Sequence, residues 1–97
     1  MYQLMIIDDE PIVRAGIKNL LPWSNYNFEV CAEGVDGKDG LKKVLEYSPD
    51  LVLVDVKMPG MNGIELIREA KKQGFEGKFI ILTGYSDFEF AKSAVSL

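Results

Sequence analysis

The chain has 97 residues, 47% hydrophobic and 27% charged, with a net charge of −4: enough for one domain around one core. The acidic balance argues against nucleic acid as the partner of this segment, because phosphate backbones need a basic face. It contains no histidine, which excludes a histidine base, nucleophile or metal ligand, and its one cysteine, Cys31, excludes an internal disulfide or a two-cysteine metal site.

Cys31 therefore reads as a buried structural thiol. No secretory signal and no apolar span of membrane length is legible, so the expectation is a soluble, cytoplasmic chain that engages no membrane.

Leu4-Met5-Ile6-Ile7 is apolar without alternation, which predicts a strand covered on both faces. Pro11 suits a first helical turn, and Ile12, Val13, Ile17, Leu20 and Leu21 recur at helical spacing as far as Pro22. Phe28 to Ala32 alternates only in part and reads as a strand nearer the sheet edge. Asp36 can cap a second helix, in which Leu41, Val44 and Leu45 fall on one side.

Leu51 to Val54 is a second unbroken apolar run and predicts the third strand, ending in Asp55. Asn62 with Glu65 opens a third helix in a capping-box pattern, turning Ile64, Ile67 and Ala70 inward. Phe79 to Leu82 is the fourth strand. Ser86 and Glu89 repeat the box before a helix carrying Phe90, Ala91, Ala94 and Val95. The order βαβαβαβα with short connections predicts one α/β domain over residues 1–97, a doubly wound parallel sheet with helices on both faces. Such sheets usually have five or more strands, so the chain reads as truncated at its C-terminal end.

In open parallel sheets, ligands bind beyond the carboxyl ends of the strands, where the strand order reverses. Strand one ends in Asp8-Asp9-Glu10, strand three in Asp55 and strand four in Thr83. Under the order 2-1-3-4, Asp8, Asp9 and Asp55 share one crevice with Thr83 one strand over; the pattern alone permits other orders. Two carboxylates 4 Å apart repel by roughly 4 kcal/mol at an effective dielectric of 20. Either a proton is retained or a cation sits among them. Oxygen-only donors select magnesium or calcium, and an incomplete carboxylate shell is the magnesium habit. A carboxylate beside that ion can act as a nucleophile towards phosphorus, with the Thr83 hydroxyl donating to the phosphoryl group and Gly84 leaving the approach open.

Singly, these residues have plainer readings. Asp55 suits a helix cap or a solvated turn, Asp8-Asp9-Glu10 favours the N-terminus of helix one, and Thr83 suits a cap. Their position at successive strand ends carries the functional reading.

The segments IIDDEP (6–11), LVLVDVKMPGMNG (51–63) and ILTGYSD (81–87) resemble the response regulator receiver domain, the CheY-like module of two-component signalling. The resemblance covers the whole chain. It implies a flavodoxin-like sheet of order 2-1-3-4-5, whose fifth strand, with its phosphoryl-pairing lysine, and last helix would lie beyond Leu97. It implies a phosphoacceptor aspartate that takes a phosphoryl group from a sensor histidine kinase with the help of magnesium. By position, Asp55 matches the phosphoacceptor and a metal ligand, Asp9 the direct magnesium ligand, and Asp8 the acid acting mainly through water. The backbone carbonyl of Lys57 matches the third protein ligand and Thr83 the switch hydroxyl. Lys57 and Tyr85 stand where the family tunes phosphate lifetime, and Gly84, next to Tyr85, joins them.

A finer resemblance, carried by LLPWSNYNFEVCAEGVDGKDGL and LTGYSDFEFAKSAV, is to receivers with AraC-type DNA-binding outputs. It implies that DNA is reached only through an output domain of a longer parent protein, with homodimerisation on phosphorylation; Trp23 and Tyr26 equally suit packing at the exit of helix one. The expectation is a switch and not an enzyme, beyond assisting its own phosphorylation and dephosphorylation. A pseudo-receiver is opposed by the intact acid set. A magnesium phosphohydrolase is opposed by Lys57 where a general acid would stand, and a flavin carrier by acids facing its phosphate.

Overall fold

The computed structural model describes residues 1–82. The first strand, β1 (Tyr2–Ile7), buries Leu4, Met5, Ile6 and Ile7 completely, as its unbroken apolar run requires. Helix α1 (Pro11–Leu20) opens with proline in its first turn, and a 3-10 turn (Trp23–Tyr26) leads into β2 (Phe28–Gly34). Then follow α2 (Gly37–Tyr47), β3 (Leu51–Asp55), α3 (Gly63–Lys72) and β4 (Lys78–Leu82).

All strand pairs are parallel and the sheet order is β2-β1-β3-β4. Of the three strands with continuous apolar runs, β1 and β3 lie between other strands, while β4 follows β3 at the end of the order among the described residues. Met5, Ile7, Val52 and Val54 point to one face and pack with Val44 of α2 and Leu66, Ile67 and Ala70 of α3. Leu4, Ile6 and Leu53 point to the other and pack with Ile17 of α1 and with Trp23. Helices on both faces of one parallel sheet make the doubly wound, flavodoxin-like fold.

Local chemistry sets the helix starts. The Asp36 side chain accepts from the Asp39 N–H at 2.8 Å, and the Asn62–Glu65 capping box closes in both directions at 2.8 and 3.1 Å. Ile64, Ile67 and Ala70 turn inward as the pattern requires, and Leu66 joins them. At the exit of α1 the Trp23 indole donates to the Ile17 carbonyl at 3.0 Å, satisfying a helix-end acceptor, and its ring stands edge-on to Phe28. Trp23 is thus packing, while Tyr26 stays on the surface.

Two expectations are adjusted. Helix α1 has no fully buried residue. Ile12 and Leu20 are 85% and 71% exposed and Leu21 is 40% exposed, whereas Ile17 packs on the sheet. Only part of the apolar arc of α1 therefore meets the sheet. Cys31 is half-buried, and burial pushes its thiol above the ordinary value.

The partial alternation of β2 comes from a bulge. Leu4 pairs with Val30 but Met5 pairs with Ala32, so Cys31 has no partner opposite it. One inserted residue exchanges the faces of everything after it. Glu33 consequently pairs with Ile6 and shares the face of α1. The helix expected after Ser86 lies outside the described residues.

Candidate metal centre at the carboxyl end of the sheet

The strand order reverses between β1 and β3, which places the crevice of an open parallel sheet beyond their carboxyl ends. Ile7 pairs with Val54, so Asp8 and Asp55 are the next residues along the two neighbouring strand ends. Asp8 is only 4% exposed, the one buried charged residue among those described. Its backbone N–H donates to the Gly34 carbonyl at 3.1 Å, extending the β1–β2 ladder, and its Oδ1 accepts the Glu10 N–H at 2.8 Å. Burial pushes its carboxyl above the ordinary value and the Asp9 charge adds to the rise, while the Glu10 bond and Arg14 oppose it.

Carboxylate oxygens of Asp8, Asp9 and Glu10 lie within 4.8 Å of one another, the one such group among the described residues. An all-oxygen donor set, with one acid buried and disfavoured as an anion, fits a hard divalent cation. Glu10 was not singled out as a donor from the sequence. It caps α1 by position and is exposed, yet its carboxylate reaches the cluster.

Asp55 closes β3, where it pairs with Leu82 of β4. Its Oδ1 accepts the Lys57 N–H at 3.4 Å. Val56 and Met58 are buried on either side of Lys57, whose own side chain is exposed, so the segment is anchored through alternate residues. Gly60 turns the chain with φ of +76°, a conformation that suits a residue without Cβ. At the start of α3, the Gly63 N–H donates to the Val56 carbonyl at 2.9 Å. A Cβ on Gly63 would overlap the Asp55 carbonyl oxygen. Thr83, Gly84 and Tyr85 lie outside the described residues.

Residues 4–97 match the family model of the response regulator receiver domain. The chain belongs to that family. The transcriptional regulatory protein HptR of Staphylococcus aureus is 35% identical over 95 residues, covering 98% of this chain and 37% of that protein. The receiver thus spans little more than a third of the curated relatives it matches. The solved receiver domain of AraT, a response regulator from Geobacillus stearothermophilus, aligns with a TM-score of 0.91 at 36% identity, over 98% of this chain and 74% of that one. A two-component transcriptional regulator AraC from Clostridium phytofermentans aligns with a TM-score of 0.87 at 33% identity, over 97% and 73% of the two chains. LuxR-family response regulators are also among the similar solved structures.

The receiver also ties its acid loop to the sheet edge. Arg14 donates from Nη1 to the Asp8 carbonyl at 2.6 Å and from Nε to Glu33 Oε1 at 3.1 Å. Lys18 Nζ reaches Glu33 Oε2 at 2.8 Å, and Lys43 Nζ reaches the Glu33 carbonyl at 2.7 Å. Hydrogen bonding from Lys18, followed by its charge and that of Arg14, holds the Glu33 carboxyl below its ordinary value of 4.5. A depressed carboxyl contributes stability above its unfolded value and loses it as the pH falls through the folded one. Glu33→Gln is accordingly expected to lose stability at neutral pH and to show a flatter decline below pH 4.5. Thermal midpoints between pH 7 and 3 check this; parallel curves for the two proteins would contradict it.

The sequence reading missed Arg14 and Glu33. An arginine one helical turn after three acids was a usable signal for the first. Nothing local marked Glu33, because its face depends on the bulge.

Proposed function

We propose that this receiver is the phosphoacceptor switch of its two-component system: Asp55 takes a phosphoryl group from a sensor histidine kinase. The observation that supports the reading is the pairing of β1 with β3 up to Ile7 and Val54, after which the two neighbouring strand ends at the order reversal continue into the Asp8-Asp9-Glu10 cluster and into Asp55. A carboxylate oxygen of Asp55 forms the new P–O bond while the P–N bond of the donor phosphohistidine breaks, and the departing imidazole nitrogen takes up a proton. Asp9 and Asp8, with Asp55 and the carbonyl of Lys57, would hold magnesium. Bound there, the ion supplies positive charge that offsets the acids and the incoming phosphoryl oxygens.

The remainder of the reading follows the family pattern. Thr83 is the switch hydroxyl, and Lys57, Gly84 and Tyr85 tune how long the phosphate survives. Phosphorylation shifts a pre-existing equilibrium towards an active arrangement of the Thr83 loop. The domain assists its own phosphorylation and hydrolysis and turns over no separate substrate. It works in the cytoplasm, dimerises on phosphorylation and controls transcription through an AraC-type output of a longer protein. The similarity to the regulator from C. phytofermentans and the segment from Leu20 to Leu41 support that output class.

Incubation with magnesium and a small-molecule phosphodonor is expected to add one phosphoryl group, stable in acid and labile in base, detected by mass. Asp55→Asn abolishes the gain. Undiminished uptake in that variant would sink the assignment of Asp55. No uptake by the unaltered chain would favour a pseudo-receiver.

A further inference from the structure

We propose that Arg14 is a positioning residue for the metal-binding acids, a strut that holds the Asp8–Asp9 peptide against Glu33. The inference rests on the reading of Asp8 and Asp9 as magnesium ligands and extends it to a residue outside the acid set. The Arg14 side chain is 13% exposed, and one guanidinium serves two acceptors: the Asp8 carbonyl at 2.6 Å and Glu33 Oε1 at 3.1 Å. Two bonds from a rigid planar fork define its orientation, which a lysine ammonium does not reproduce.

The bond to a backbone oxygen is the informative feature. The Asp8 carbonyl shares a planar unit with the nitrogen and Cα of Asp9, so holding that oxygen fixes the direction in which the chain enters Asp9. The Asp8 N–H is already held by Gly34 at 3.1 Å. Beyond Asp9, the Glu10 carbonyl accepts the N–H groups of Val13 and Arg14, both at 3.1 Å. Asp9 is therefore suspended between two anchored residues, and the Arg14 bond anchors the near side. A role through charge alone would aim the guanidinium at the carboxylates; its ion pair is with Glu33.

Glu33 makes the strut stiff. Its carboxylate is shared with Lys18, and its carbonyl accepts from Lys43 of α2. The bulge at Cys31 puts Glu33 on the face of α1, so the strut spans two strands and a helix. Loosening the partners that orient metal ligands typically costs tenfold or more in metal affinity.

The test is magnesium titration of the full chain by calorimetry, with thermal midpoints in chelator as the folding control. Arg14→Gln is expected to weaken magnesium binding about tenfold. Arg14→Lys, which keeps the charge and loses the fork, binds about as weakly. Glu33→Gln removes the charge of the far anchor without substituting any residue of α1 or the acid loop and produces a similar loss, and it tests the strut even where Arg14→Gln fails to fold. The double variant is no worse than Arg14→Gln, because the two residues act as one unit. Lys18→Met, which removes one partner of Glu33 and leaves the Arg14 bonds in place, weakens binding by clearly less than Arg14→Gln; an equal or larger loss would overturn the central place of Arg14. Unaltered affinity in Glu33→Gln or Arg14→Gln, full affinity in Arg14→Lys, or additive losses in the double variant would overturn the proposal. No magnesium binding by the unaltered chain would overturn the functional reading itself, and this inference with it.

Discussion

Gly63→Ala is expected to destabilise the receiver by about 1–3 kcal/mol, the range for overpacking a filled site. Helix propensity alone predicts the opposite sign, since alanine in a helix is favoured over glycine by roughly 0.5–1 kcal/mol. Geometry decides between them. The new methyl would overlap the Asp55 carbonyl oxygen and stand 3.1 Å from the Val56 Cα. These are backbone atoms, so no side chain can swing aside. Asp55 is paired in the β3–β4 ladder, and the Gly63 N–H is bound to Val56, which leaves neither partner free to yield. Relief requires moving the end of β3, and Asp55 moves with it. Urea unfolding is expected to show a lower midpoint at an unchanged slope. A variant as stable as the parent, or more stable, would show that the carbonyl gives way easily.

The second large effect concerns Asp8 and has opposite signs with and without the cation. Unit charges 4.8 Å apart, the span of the acid group, repel by about 3 kcal/mol at an effective dielectric of 20. Asp8 is the buried member, and burial disfavours its charged form. Asp8→Asn removes the charge and keeps an amide oxygen to accept the Glu10 N–H. In chelator the variant is expected to be more stable by about 1–2 kcal/mol, less than the gross repulsion because the exposed acids are screened by water. With magnesium the order reverses. The parent gains about 2.7 kcal/mol at a concentration 100 times its dissociation constant, and the variant, short of one acid, gains little. Thermal melts in chelator and in magnesium check both halves. An Asp8→Asn protein that is destabilised in chelator, or that magnesium stabilises as much as the parent, would refute the account. The receiver thus carries a locally unfavourable charge arrangement at the place where its chemistry is proposed.

Much of this was legible before any coordinates. Leu4–Ile7 and Leu51–Val54 announced buried strands because a strand covered on both faces has no polar side to alternate with. Asp36 and the Asn62–Glu65 pair announced helix starts because capping is chemistry between residues three apart. Asp8, Asp9 and Asp55 were marked by their places at strand ends. Other features were not legible. Ile12 and Ile17 look alike in sequence, yet one faces outward and the other packs on the sheet. Glu10 resembles a helix-cap acid until its carboxylate is seen beside Asp8 and Asp9.

By itself, then, the sequence determined the elements, their αβ alternation and the acids that terminate the strands, since each depends on residues a few positions apart. Only the tertiary structure decided that β1 lies between β2 and β3, which makes neighbours of the strand ends that lead into Asp8 and Asp55, 47 positions apart in the chain. It also decided that an unpaired Cys31 turns Glu33 towards Arg14. Register and bulge are properties of two strands held together, and neither strand encodes them alone.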